Sequence, residues 1–186
     1  MGTWKSTQPG KQVEVWFEDE ARFGQQGTLT RVWGRRGQRA WALRQTEYEW
    51  VYMYGAVCPR TGQAHGWLMP KANTAAMNIF LEDFSRRIAP DTHVVMVCDR
   101  AGWHRSKKLN VPANITLTHL PPYSPELNPA ELLWREQRSK GLSNRVFKTC
   151  ADLEAHVAAT WMQLESDAPR LHSLCCFPWI ESAVTN

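Results

Sequence analysis

No stretch of this 186-residue chain approaches the roughly 20 uninterrupted apolar residues that a membrane-spanning helix needs, so no membrane partner is expected. The start, MGTWKSTQPG, lacks the apolar core of a secretory signal, and export is not expected either. Cysteine is sparse. Cys58, Cys98, Cys150, Cys175 and Cys176 form no CxxC pair and no Cys/His zinc spacing, and the odd number argues against a closed disulfide framework. A reducing cytoplasm is the expected compartment. Internal repeats and low-complexity linkers are missing too, and the length suits one domain with one core. Neither sign of charge dominates: 22 Lys+Arg against 18 Asp+Glu leave +4, which permits a polyanionic partner without demanding one.

What is present is unevenly placed. Between Thr28 and Thr46 lie Arg31, Arg35, Arg36, Arg39 and Arg44 with no acidic residue, and Trp33 and Trp41 are interleaved among them. Guanidinium beside indole suits contact with phosphates and bases. A solvated hairpin with a few cation–π pairs would look the same.

Hydrophobic periodicity orders the rest. Residues 12–19, QVEVWFED, alternate, with Val13, Val15 and Phe17 on one face and Glu14, Trp16 and Glu18 on the other, as in a strand. WVYMYGAVC (50–58), a PRTG turn and QAHGWLM (63–69) read as further antiparallel strands. Asn73 can cap a helix over about 74–89, where Met77, Phe80, Leu81, Phe84 and Ile88 share a face before Pro90. HVVMVCD (93–99) is apolar without alternation, as in a central strand covered on both sides. A strand at 115–120 follows, then a helix from about Pro129 to Lys140 with Gly141 as its stop. Thr149 and Asp152 resemble a capping box for a last helix over about 150–165. After Asp167 there is no clear period. This order, three antiparallel strands, helix, strand, strand and two helices, predicts an α/β fold with a mixed five-stranded sheet and helices on its faces.

Carboxylates stand where such sheets gather their sites. The parity of Val13, Val15 and Phe17 continues to Asp19, while Glu18 and Glu20 fall on the opposite face. Val95 and Val97 likewise lead to Asp99 at the carboxyl end of the central strand. Two like charges 4 Å apart at an effective dielectric of about 20 repel by roughly 4 kcal/mol, which asks for a cation or a shifted pKa. Oxygen ligands without a His/Cys cluster point to Mg²⁺ or Mn²⁺, and two such ions suit phosphodiester chemistry. Each aspartate alone could equally be a residue that turns the chain at a strand end.

Glu131 lies in LPPYSPELNPAELLW, 120–134. With Asn128 as N-cap and Pro129 as first helical residue, Asn-x-x-Glu forms a capping box that accounts for Glu131 structurally. An i+4 pair with Arg135 is open to it as well. Neither requires Pro121, Pro122 and Pro125, which stiffen the approach to the helix.

FEDEARF (17–23), CDRAGWHRSKKL (98–109) and PPYSPELNPAELLW (121–134) together resemble the three catalytic blocks of the DDE transposases of the Tc/mariner superfamily, most closely its bacterial insertion-sequence-630 family. The resemblance spans about residues 13–160. It implies a ribonuclease-H-like fold, with catalytic metal ligands at Asp19, Asp99 and Glu131 holding two Mg²⁺ or Mn²⁺ ions. His104 takes the family's histidine position, where it would orient Asp99 or touch DNA. The Arg/Trp segment falls where relatives insert a loop that contacts DNA and the partner subunit. The implied substrate is double-stranded DNA, transposon ends and target, cut and rejoined by a homodimer at the bacterial nucleoid. Division of the chain into a leader (1–11), a catalytic domain (12–166) and a tail (167–186) follows. Only 18 residues precede Asp19, too few for the helix-turn-helix modules of relatives, so an upstream helix-turn-helix half, a truncation or a decayed element is expected. A metal-dependent nuclease of the same fold, and an inactive remnant that binds DNA or regulates a transposase, are the competing expectations.

Overall fold

The structure, a computed structural model, describes residues 10–25, 36–37 and 49–185. Five strands, β1 (Gln12–Gly24), β2 (Trp50–Cys58), β3 (Gln63–Met69), β4 (Thr92–Cys98) and β5 (Ile115–His119), form one sheet in the order β3-β2-β1-β4-β5. The first three pair antiparallel, and β1/β4 and β4/β5 pair parallel. This is the mixed five-stranded sheet that the element order predicts. All of β4 is buried, in keeping with its unbroken apolar run.

Each face of β1 serves a separate half of the core. On the even face Trp16, with Tyr54, Val94 and Met96, packs against Phe80, Leu81 and Phe84 of α1 (Thr74–Arg87). Asn73 caps that helix through Oδ1, which accepts from the Ala76 N–H at 3.0 Å. On the odd face Phe17, Ala21 and Phe23 meet Leu133 and Trp134 of α2 (Ala130–Glu136) and Val157 and Trp161 of α3 (Cys150–Glu165). The expected Thr149/Asp152 capping box is formed, with both of its hydrogen bonds at 3.1 Å. No helix among the described residues is long and apolar enough to cross a membrane.

Four local readings change. First, β1 runs past Asp19 to Gly24, because β2 continues to pair with it as far as Gly24↔Trp50. Asp19 is therefore mid-strand and not at a strand end, although its parallel neighbour β4 stops at Cys98. Second, residues after 167 are not aperiodic: α4 (Ala168–Cys175) and α5 (Pro178–Thr185) place Leu171, Cys175 and Ile180 in the odd-face core. Each is eight residues long, too short to show a convincing 3.6 period. Third, Gly141 is no left-handed stop. The chain continues from α2 through a π turn (Gln137–Leu142), and a Cβ on Gly141 would come within 2.7 Å of Thr160 in α3. Close helix approach explains this glycine, and Asn144, at φ 57°, is the residue in the left-handed region.

The fourth concerns Glu131. No capping box forms around it. The Asn128 N–H donates to the Pro125 carbonyl at 2.9 Å, within a 3₁₀ turn (Pro125–Leu127), and so is not offered to a glutamate. Asn128 Oδ1 accepts from Ala130 N–H at 3.1 Å, and no Glu131–Arg135 ion pair exists. Glu131 is thus left exposed at the first turn with its carboxylate uncommitted.

Candidate active site

Glycines make room for the site. Across the antiparallel strands Asp19 stands opposite Gly55, which stands opposite Gly66. A Cβ on Gly55 would lie 2.4 Å from Trp134 and one on Gly66 2.4 Å from Trp161. The gap lets the two indoles stack against the sheet, with ring centroids 5.7 Å apart. Trp134 then points its Nε1–H at Asp19 and donates to Oδ2 at 2.8 Å. Because Glu131 and Trp134 are three residues apart on one helix, this bond also fixes where Glu131 sits relative to Asp19.

Asn128 adds a second tie. Its Nδ2 donates to the Glu18 carbonyl at 3.0 Å, joining the start of α2 to β1 one residue before Asp19. From below, the Cys175 thiol lies 3.6 Å from the Pro129 carbonyl, and Arg170 pairs with Glu136, so α4 supports α2 at both ends. Asp19 and Glu131 are close enough to repel. Burial first, and then the Glu131 charge, push the Asp19 carboxyl from its ordinary 3.8 up to about 7, against the opposing pull of the Trp134 hydrogen bond.

Asp99 follows the last residue of β4. It stands two residues beyond Val97, which closes the parallel ladder opposite Phe17. Its Oδ1 accepts from Ala101 N–H at 2.8 Å and meets His104 Nδ1 at 2.8 Å. The side chain is 54% exposed, so its other oxygen is open to ligands. The His104 bond, opposed by partial burial, holds the Asp99 carboxyl below its ordinary value.

His104 is buried and bridges to the opposite face of β1. Its Nε2 lies 3.0 Å from Glu20 Oε1 and 3.4 Å from Glu18 Oε2. Trp103 Nε1–H also donates to Glu20 Oε1, at 2.6 Å. Burial pushes the imidazolium toward deprotonation, but the hydrogen bonds to Asp99 and Glu20 and the charges of Glu18 and Glu20 outweigh it and raise the pKa to about 11. His104 is accordingly a cation that donates from both nitrogens. Glu18 is fully buried, and neither of its oxygens has a hydrogen-bond partner. Burial and the Glu20 charge raise its carboxyl well above the ordinary range.

The structure thus brings Asp19 and Glu131 together, puts Asp99 just past the end of β4, the strand parallel to that of Asp19, and attaches His104 to Asp99. Of the arginine segment only Arg36 is described, and it is exposed; Arg31, Arg35, Arg39 and Arg44 lie outside the described residues. At the root of that segment the Arg22 guanidinium lies 5.3 Å from the centre of the Trp50 ring. Sequence reasoning gave Asn128 only a helix-capping role, and gave Trp134, Glu20 and Glu18 no part in the site. The i+3 spacing of Glu131 and Trp134 was a visible signal; the long-range bonds of Asn128 and Glu20 left none.

A mixed sheet in this strand order, helices on both faces and acidic side chains around the parallel pair define a ribonuclease-H-like fold. The chain belongs to the family described as DDE superfamily endonuclease, whose model matches residues 14–154. It is 43% identical over 130 residues to the uncharacterized protein y4pE/y4sA of Sinorhizobium fredii, covering 70% of this chain and 96% of that protein. Among solved structures it is similar to the Mos1 transposase paired-end complex with left transposon end (TM-score 0.58, 14% identity, 88% of this chain). A mariner Mos1 paired-end complex with Mg is similar too (TM-score 0.55, 18% identity, 87% of this chain). The chain spans 56% and 54% of the length of those two Mos1 chains.

Proposed function

We propose that this chain is the catalytic domain of a DDE transposase of the insertion-sequence-630 family, cleaving DNA phosphodiesters at transposon ends and joining the freed 3′-hydroxyl to target DNA. The observation that carries the reading is the clamp on Asp19. An indole N–H, an asparagine and two packed glycines hold one partly buried carboxylate against a second, uncommitted one, at a cost in repulsion that no side-chain cation among the described residues is seen to relieve.

The donor chemistry fits a hard divalent cation. Asp19, Asp99 and Glu131 supply oxygen ligands only, and they would hold two Mg²⁺ or Mn²⁺ ions. When bound, such ions activate a water for attack at phosphorus and stabilise the leaving oxygen. Trp134 keeps Asp19 in one orientation, and His104, itself held by Glu20, does the same for Asp99. Asn128 and α4 hold the first turn of α2, so Glu131 is kept beside Asp19 without searching rotations of the helix. Positioning of this kind is the protein's contribution to a reaction with little covalent chemistry of its own. The arginines at 31, 35, 36 and 39 supply phosphate contacts along double-stranded DNA, a second copy of the chain completes the active complex, and a helix-turn-helix half recognises the ends.

Glu131→Gln tests the reading. With Mg²⁺ or Mn²⁺ and a duplex carrying the element ends, the variant is expected to lose about a thousandfold in cleavage, on the order of 4 kcal/mol of barrier. Its Tm is expected to stay at or above that of the wild type, since the side chain makes no stabilising bond. Undiminished cleavage would contradict the assignment. Cleavage without joined products would favour the nuclease reading, and absence of divalent-ion binding by calorimetry, even with DNA, the remnant.

A further inference from the structure

We propose that Tyr123 and Arg100 form a nucleotide clamp at the mouth of this site, the phenol ring stacking on a base next to the scissile phosphodiester and the guanidinium holding a phosphate. The proposal rests on the DNA-cleaving reading above and adds to it where the strand is gripped.

Tyr123 is 100% exposed. A large ring in that position buries nothing and so contributes nothing to folding. Its backbone is nevertheless held at φ 59°, a region that residues with a side chain seldom occupy. The loop around it is braced on both sides. Before it, Leu120 N–H donates to the Cys98 carbonyl at 2.9 Å, extending the β4/β5 ladder. After it, Leu127 N–H donates to the Ser124 carbonyl at 3.2 Å, and the 3₁₀ turn and Asn128 lead straight into the helix of Glu131. Pro121, Pro122 and Pro125 limit the remaining freedom. A rigid, solvent-facing aromatic held at an unfavourable backbone angle and eight residues from a candidate ligand is built to meet something outside the fold. Any base offers a π-face to it, so stacking there needs no sequence preference.

Arg100 is attached to the same loop. It follows Asp99 directly, is exposed, and donates from Nε to the Leu120 carbonyl at 2.9 Å. That bond uses one of five guanidinium donors and fixes the plane of the group, leaving the Nη hydrogens for a phosphate. The clamp thus joins the strand end that carries Asp99 to the loop that leads to Glu131. Both halves of the candidate site contribute one DNA-facing group.

The test uses the full chain and a duplex with a five-nucleotide single-stranded flap carrying 2-aminopurine, without divalent ions. Wild type and Tyr123→Phe are expected to quench the fluorophore on binding. Tyr123→Ala and Tyr123→Gly are expected to bind about tenfold more weakly and to lose the quenching, with Tm not lowered. Arg100→Ala is expected to keep the quenching while reducing the slope of log affinity against log salt by roughly one contact, about 0.7–0.9. Equal affinity and quenching in Tyr123→Ala, or an unchanged salt slope in Arg100→Ala, would overturn the clamp, as would a wild-type chain that binds the flap without quenching. Metal-dependent cleavage by the wild type, measured separately, decides the underlying reading independently of these results.

Discussion

The two faces of β1 handle the same problem, crowded carboxylates, in opposite ways. On the even face Glu18 and Glu20, together with Asp99, surround a buried imidazolium, and the protein itself places one positive charge among them. On the odd face Asp19 meets the Glu131 carboxylate, the Trp134 indole and the Glu20 backbone N–H offset only part of the cost, and its carboxyl rises to about 7. One strand therefore carries a carboxylate cluster with a built-in cation behind one that has none among the described residues. In the reading proposed above, the odd face is where a cation from solution would be useful, and the even face is the support that fixes Asp99 for it.

Removing the internal cation should break the comparison most severely. His104→Leu leaves Glu18 buried beside Glu20 and Asp99 with no positive partner, and loss of one member of a buried ionic cluster costs about 3–5 kcal/mol. A fall in Tm on the order of 10 °C is expected by calorimetry. Adding Glu18→Gln and Glu20→Gln should recover part of it, whereas a chain indifferent to His104→Leu would show that the even face is not held by charge.

The odd face should respond to pH with the opposite sign from an ordinary salt-bridged carboxylate. Between about 4 and 7 the folded state keeps a proton on Asp19 that the unfolded chain has released. Its contribution is fully present below pH 4 and is lost as pH rises through 7. Comparison with Asp19→Asn isolates this group: without divalent ions, wild-type stability is expected to fall relative to the variant by about 2–4 kcal/mol over that window. Urea unfolding at several pH values checks it, and a difference that stays flat or grows with pH would count against the repulsion.

A smaller effect is expected at the sheet. Gly55→Ala forces a methyl to within 2.4 Å of the Trp134 ring, and overpacking of this kind costs about 1–3 kcal/mol. Because the displaced ring carries the Asp19 hydrogen bond, cleavage should drop more than the stability loss alone explains. Equal activity in a folded Gly55→Ala chain would separate Trp134 from the positioning of Asp19.

Much of the frame was legible in the residues. Alternation in β1, the unbroken run of β4 and the i, i+3, i+4 face of α1 depend on local periodicity, and they predict the elements and the mixed sheet. The three blocks led to Asp19, Asp99 and Glu131. Less legible was why those carboxylates are held as they are. Asn-x-x-Glu reads as a capping box, but the Asn128 side chain reaches across 110 residues of chain to the Glu18 carbonyl, and its backbone N–H goes to Pro125. The parity of Glu18 and Glu20 was apparent, yet the buried histidine that faces them is 84 residues from Glu20. Gly55, Gly66 and Gly141 gave no motif, since each is explained by the bulk of a side chain that only the tertiary fold brings near.

The central contrast is tested most directly by titrating the Asp19 carboxyl carbon by NMR, assigned against Asp19→Asn, with and without saturating Mg²⁺. A pKa near 7 without the ion, falling by more than one unit when it is added, is the expected result. An ordinary carboxylate pKa near 4 under both conditions would contradict an odd face that awaits a cation.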